Sequence, residues 1–328
     1  MQILVTRKIP GNKTQDLVGA GHEVTTSEFD RPLTPSELVE KIKGMDALLS
    51  VLNDRIDGEV MDTSGPQLKI IANYAVGFDN INIEEATKRG IVVTNTPSDI
   101  VNEAVAEHTW ALILSLTRRV VEADEAVRRG AYKGFDPEIF LGPTLKGKVL
   151  GIIGLGRIGA MVARRAKGYE MKVYYTKRSR DPELEQELGA TFSSLDELLT
   201  ISDIISLHIP GSEDTRHLIN DTSLQKIKQG SYLINTARGM CVDEHALVNH
   251  LRSGKLAGAA LDVFDNEPNI NPELIGMENV ILTPHIASAT FEAREDMARL
   301  AVNGILEVLN GKMPANIVNK EVWEKRRQ

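Results

Sequence analysis

The chain has 328 residues, 42% hydrophobic and 26% charged, with a formal net charge of -8, and its acidic balance argues against a nucleic-acid surface or an anionic-membrane binder while leaving room for a local basic pocket. No apolar run reaches the roughly 20 residues of a membrane span, and residues 1–6 read as a strand with no signal core behind it, so a cytoplasmic setting is expected. The length suits two cores of ordinary domain size.

From the start, apolar β-rich runs at residues 3–5, 47–51, 68–72 and 91–94 alternate with helical patterns such as residues 35–43 and 83–89. Alternation of this kind predicts a parallel α/β sheet. This first unit ends near Pro97 and carries no glycine fingerprint. A long helical pattern follows over residues 99–118 and a second over residues 120–130. Residues 131–145 are irregular, with Gly134, Phe135, Pro137, Phe140, Gly142 and Pro143. Exposed aromatics in such an arm suit either a partner subunit or a gap on their own domain.

The run Val149–Ile153 then leads into Gly154-Leu155-Gly156-Arg157-Ile158-Gly159 and an amphipathic segment reaching about Lys167. This reads as strand, tight turn and helix. The first glycine permits the turn, the second lets backbone amides approach a pyrophosphate, and the third packs helix close to strand. The helix start adds unpaired amides and the positive end of a dipole. No nucleophile serine or Gly-Lys-Ser/Thr ending occupies the turn, which excludes a hydrolase elbow and a Walker loop.

Alternation resumes with expected strands at residues 172–175, 204–208, 231–235, 257–262 and 280–282, then a long helix over residues 289–309 and a tail containing Trp323. Because the glycine turn lies near mid-chain, the dinucleotide-binding domain, residues 99–289, is expected to be inserted into a substrate domain made of residues 1–98 and 290–328. The expected fold class is α/β, with two doubly wound parallel-sheet, Rossmann-like domains. An active site would then lie in the cleft between them. The lone Cys241 can close no internal disulfide and reads as a small buried residue.

Charged residues collect at expected strand ends, the edge at which open α/β sheets bind ligands. Arg238, in Asn235-Thr236-Ala237-Arg238-Gly239, can form a bidentate contact with a carboxylate. Glu267 lies in Asp262-Val263-Phe264-Asp265-Asn266-Glu267-Pro268, and His285 in Thr283-Pro284-His285-Ile286-Ala287-Ser288. A carboxylate behind an imidazole fixes its tautomer and stabilises its cation, which makes an acid–base pair. His22, His108, His217, His245 and His250 lack such context and read as structural or solvent-facing. No cluster of metal ligands is present.

These motifs together resemble the D-isomer-specific 2-hydroxyacid dehydrogenases over nearly the whole chain. The resemblance implies that Arg238, Glu267 and His285 form a catalytic trio. It also makes Asn73-Tyr74-Ala75-Val76-Gly77-Phe78-Asp79 a substrate loop, with the Val76 and Gly77 amides on the substrate carboxylate and Leu52 lining the pocket. Arg238 and His285 then also count as substrate contacts. Within the family the chain is most similar to glyoxylate/hydroxypyruvate reductases, although Phe135 stands where tryptophan is frequent. Other D-2-hydroxyacid, phosphoglycerate and phosphonate dehydrogenases share the fold, as do nucleotide-sensing corepressors of a different class.

After the expected second strand of the dinucleotide domain, an NAD enzyme usually places an acid that binds the ribose hydroxyls. This chain instead has Lys177-Arg178-Ser179-Arg180. Cations and a hydroxyl there suit a 2′-phosphate, which favours NADP with NAD as the alternative. Further cofactor contacts are expected from His208, Ile209, Pro210, Thr236, Ala237, Asp262 and Ala287. A homodimer is implied by the family and by the arm at residues 131–145, and the substrate expected is a small 2-keto acid.

Overall fold

In the computed structural model, which describes residues Met1–Gln328, the chain forms two parallel sheets, one in each of two compact units. The first unit is Met1–Val101 with Ala289–Gln328, and the second is Asn102–Ser288.

The first unit contains β1 (Gln2–Val5), β2 (Glu23–Thr26), β3 (Ala47–Val51), β4 (Ile70–Tyr74) and β5 (Val92–Thr94), in the spatial order β2-β1-β3-β4-β5. Its inner strands are continuous apolar runs because helices cover both faces of a parallel sheet; β4, Ile-Ile-Ala-Asn-Tyr, is buried at every residue. It extends beyond the expected end at residue 72, since Asn73 and Tyr74 still pair with Ser50 and Val51. The edge strand β2, largely exposed, has no apolar run to announce it. The helix Phe291–Leu309 lays Met297, Ala301, Ile305 and other buried residues inward, and Gly304 brings it close to Thr94.

The chain beyond that helix completes the same unit. Ile317 bridges Thr94, and Asn319 accepts from the Val93 amide at 2.9 Å and donates to Ile91 O at 3.0 Å. The Arg327 guanidinium donates to the carbonyls of Arg89 and Gly65 at 2.7 and 2.8 Å.

The second unit holds β6 (Val149–Ile153), β7 (Lys172–Thr176), β8 (Ala190–Phe192), β9 (Ile204–Leu207), β10 (Ser231–Asn235), β11 (Leu256–Leu261) and β12 (Val280–Leu282), ordered β12-β11-β10-β9-β6-β7-β8. Strand order reverses between β6 and β9, and a ligand crevice opens at such a switch point. One face of the sheet is packed by Trp110, Ile113, Val162 and their neighbours, and the other by Leu198, Leu224, Leu247 and theirs. Cys241 lies in the second of these cores. The Trp110 indole donates to Val162 O at 3.0 Å and ties the helix Asp99–Thr117 to the helix Arg157–Ala166. The helix Val120–Arg128 buries none of its residues. No helix is long and apolar enough to cross a membrane.

Candidate active site

The glycine turn lies directly at the switch point. Gly154 has φ +98, and a Cβ there would meet His208 O at 2.5 Å, so only glycine lets the β6 and β9 ends approach this closely. A Cβ on Gly159 would meet Gly154 O at 2.3 Å, whereas Gly156 faces open space. The helix Arg157–Ala166 starts at Gly156 with no side-chain cap, leaving its first amides available to an anion. Leu155 is buried, Ile158 packs beside it in the core, and Arg157 faces solvent. The residues present therefore fit a dinucleotide pyrophosphate.

Beside this turn His208 places Nε2 2.9 Å from Ser206 Oγ, and its Nδ1 is buried with no partner. Burial holds its pKa down at about 3, so the ring is neutral. Ile209 and Pro210 follow, half-buried and exposed. Thr236, after β10, shares a 2.9 Å hydroxyl contact with Thr109, and Asn235 Oδ1 accepts from the Ala237 amide at 3.0 Å, bracing the turn into Arg238. Arg238 is half-buried and donates to Ala237 O at 2.7 Å.

Strands β10, β11 and β12 are neighbours, and their carboxyl ends carry Arg238, Glu267 and His285 in turn. His285 Nδ1 lies 2.9 Å from Glu267 Oε2, while Glu267 Oε1 accepts from the Phe264 amide at 3.0 Å. Both carboxylate oxygens are thus used, one to fix the acid and the other to orient the imidazole with Nε2 directed away. His285 adopts φ +54, a left-handed conformation that costs a non-glycine residue energy and recurs at functional sites.

Asp262, wholly buried, holds that loop. Its carboxylate accepts from Thr283 Oγ1 at 2.6 Å and from the Ile286 and Ala287 amides at 2.9 and 2.8 Å. Burial works to raise its pKa, but these bonds together with His108 outweigh it and keep the pKa low. His108, which the sequence offered no reason to single out, reaches Thr283 Oγ1 at 3.2 Å.

In the first unit, Leu52 follows β3, residues 75–79 follow β4, and Asn95 follows β5. Three consecutive carbonyls here are held from within. Ala75 O accepts from the Thr96 amide at 2.9 Å, Val76 O from Asn95 Nδ2 at 2.7 Å, and Gly77 O from Asn73 Nδ2 at 2.9 Å. The N–H groups of Val76, Gly77 and Phe78 donate to no other group of the chain. Successive unused amides of this kind form an anion site. Asn95 escaped sequence reasoning, and Asn73 entered it only as the first residue of the substrate-loop motif, though each stands at or next to a strand end.

The loop after β7 is basic, and each cation has a carboxylate nearby. Lys177 Nζ lies 3.1 Å from Asp181, Arg178 lies 3.2 Å from Asp214, and Arg180 lies 2.8 Å from Glu185. Ser179 is exposed. The Arg178–Asp214 pair is almost fully solvated, so it holds its partners weakly.

A sheet whose switch point carries an uncapped helix start and whose adjacent strand ends carry an imidazole–carboxylate pair has the make-up of a dinucleotide-binding enzyme. Residues 110–287 match the model of the D-isomer specific 2-hydroxyacid dehydrogenase NAD-binding domain. A glyoxylate reductase of Thermococcus onnurineus is 47% identical over 99% of this chain and 98% of its own. Among solved structures, the TT0316 protein of Thermus thermophilus is 44% identical with a TM-score of 0.90, over 97% of this chain and 100% of that one. An NADPH-dependent glyoxylate/hydroxypyruvate reductase of Sinorhizobium meliloti is 31% identical with a TM-score of 0.83, over 100% and 99%. The chain belongs to the D-isomer specific 2-hydroxyacid dehydrogenase family and uses a nicotinamide cofactor.

Proposed function

We propose that this protein reduces glyoxylate to the corresponding 2-hydroxy acid, accepts hydroxypyruvate, and prefers NADPH to NADH. When bound, the reduced dinucleotide supplies hydride to the carbonyl carbon. His285, protonated and oriented by Glu267, gives its Nε2 proton to the carbonyl oxygen. Arg238 pairs with the substrate carboxylate and polarises the same oxygen, while the Val76 and Gly77 amides take the carboxylate and Leu52 bounds the pocket. Glycine-turn amides, with Ile209, Pro210, Thr236, Ala237 and Ala287, seat the dinucleotide, and Asp262 acts through the loop it anchors. Residues 1–98 and 290–328 serve the substrate and residues 99–289 the cofactor.

The observation that carries the chemistry is the 2.9 Å His285–Glu267 pair at the carboxyl edge of the sheet bearing the glycine turn. The substrate rests on the relatives, which are named glyoxylate reductases at 45–48% identity over nearly their full length. The cofactor preference rests on Lys177, Arg178 and Ser179, which follow β7 where an acid would oppose a 2′-phosphate. The solvated Arg178–Asp214 pair yields readily to a doubly charged group.

Loss of absorbance at the reduced-nicotinamide band, with glyoxylate or hydroxypyruvate and NADPH against NADH, tests this directly. Faster oxidation of NADPH with either acid is expected; turnover with NADH alone would overturn the cofactor assignment, and silence with both the substrate assignment. His285→Ala should lower turnover by roughly 10²–10⁴-fold while NADPH affinity is unchanged. Retention of most activity would remove His285 from its role.

A further inference from the structure

The loop after β4 has an internal support that the family motif does not explain. In a trans peptide the C=O and the following N–H point in opposite directions. Fixing the Ala75, Val76 and Gly77 carbonyls therefore fixes where the Val76, Gly77 and Phe78 amides point. The donors come from two adjacent strand ends, Asn73 in β4 and Asn95-Thr96 just after β5. Val76, Gly77 and Phe78 are only partly covered, so their amides are set outward from a braced backbone.

Those donors are braced in turn. Ser50 Oγ donates to Asn73 Oδ1 at 3.1 Å, and Asn73 Nδ2 also reaches Asn80 Oδ1 at 3.0 Å. Asn80 ties the far end of the loop to Asp54 O at 2.9 Å. Asn95 is gripped by Asn316, whose Nδ2 donates to Asn95 O at 2.5 Å and whose carbonyl accepts from the Asn95 amide at 3.3 Å. Asn73 and Asn95 each reach a loop carbonyl through Nδ2, a bond that a serine is too short to make from the same position.

We infer that Asn95 and Asn73 are positioning residues that, through the Val76 and Gly77 carbonyls, hold the Gly77 and Phe78 amides beside the Val76 amide set by Thr96, as the cradle for the substrate carboxylate, and so set substrate affinity rather than the rate of the chemical step. The inference rests on the proposed 2-keto acid reduction for its substrate, while the amide cradle itself is defined by the backbone. Phe78 supplies the third donor, and its exposed ring lies at the outer end of the row.

Asn95→Ala removes the donor to Val76 O, and Asn95→Asp keeps the shape while replacing that donor with a second acceptor. Both should raise the KM for glyoxylate about tenfold, the cost of losing one preorganising hydrogen bond, with kcat within threefold and the KM for NADPH unchanged. Aspartate should have at least the effect of alanine. Oxalate, a carboxylate that cannot be reduced, is titrated calorimetrically into the enzyme saturated with NADPH, wild type and variants alike, and its affinity should fall by the same factor. An unchanged KM and oxalate affinity, or a fall in kcat at constant KM, would overturn the inference. A wild-type protein that binds oxalate but turns over no keto acid would instead defeat the proposed reaction, and the oxalate comparison would still decide the cradle.

Discussion

Of the site's glycines in the dinucleotide unit, Gly239 has the least room for a side chain. A Cβ there would stand 1.8 Å from Phe264 C and 2.0 Å from Phe264 O, so the peptide after Arg238 lies against the peptide leading to Glu267. Gly239→Ala must push one of these loops away, at a cost of roughly 1–3 kcal/mol. Denaturant unfolding and steady-state kinetics should both register it, and an alanine variant neutral in both would show that the loops tolerate separation. His208 makes a second residue-level case. Its folded pKa is lowered to about 3 by burial, while in an unfolded chain histidine titrates near 6.5. The neutral ring's contribution to stability is therefore complete above about pH 6.5 and is lost as pH falls from there toward 3. A His208→Gln variant, compared with wild type across that window by denaturant midpoints, should show a shallower decline; identical slopes would mean that His208 is protonated without penalty. The sequence made His285, Glu267 and Arg238 visible because charge at a strand end is unusual. It hid Asn95, and the bracing role of Asn73 within the loop motif, because an asparagine that braces a loop from inside looks like any turn residue.

At the scale of the element, the plainest strands were nearly continuous apolar runs that bury almost every residue, such as β3 and β10, while β7 and the edge strand β12 were read from shorter apolar patches that are only partly buried. The edge strands β2 and β8 were not, since Glu23-Val24-Thr25-Thr26 and Ala190-Thr191-Phe192 pair on one side only and leave residues to solvent. The helix Val120–Arg128 follows the opposite logic, because its apolar residues are plain in the sequence yet buried nowhere. Val127 is 60% exposed, and in the arm that follows Tyr132 is 70% and Phe135 91% exposed. Large apolar side chains left to solvent along one stretch of chain favour an interface when they meet in a single patch. The proposed occupant is a second copy of the chain, so light scattering should give twice the 36.1 kDa chain mass. Val127→Glu combined with Phe135→Ser should shift that mass toward the monomer, and a wild-type mass of one chain would rule the homodimer out.

For the molecule as a whole, two parallel α/β sheets were legible from alternation alone, and the second declared its ligand through its glycines. The first did not, since the anion site proposed for it consists of backbone amides whose directions are set by Asn73 of β4 and by Asn95 and Thr96 beside β5, and no residue type records that. The partition of the chain also has a bearing on its birth. Residues 102–288 are continuous, whereas the sheet made first is completed by Ile317, Asn319 and Arg327, which grip residues 89–94. On a ribosome that emits the chain from its N-terminus at about 5–20 residues per second, the earliest sheet must wait on the order of ten seconds or longer for its last contacts. The later unit can close as soon as residue 288 has emerged, whereas the first-made half gains its last contacts only once Ile317, Asn319 and Arg327 follow.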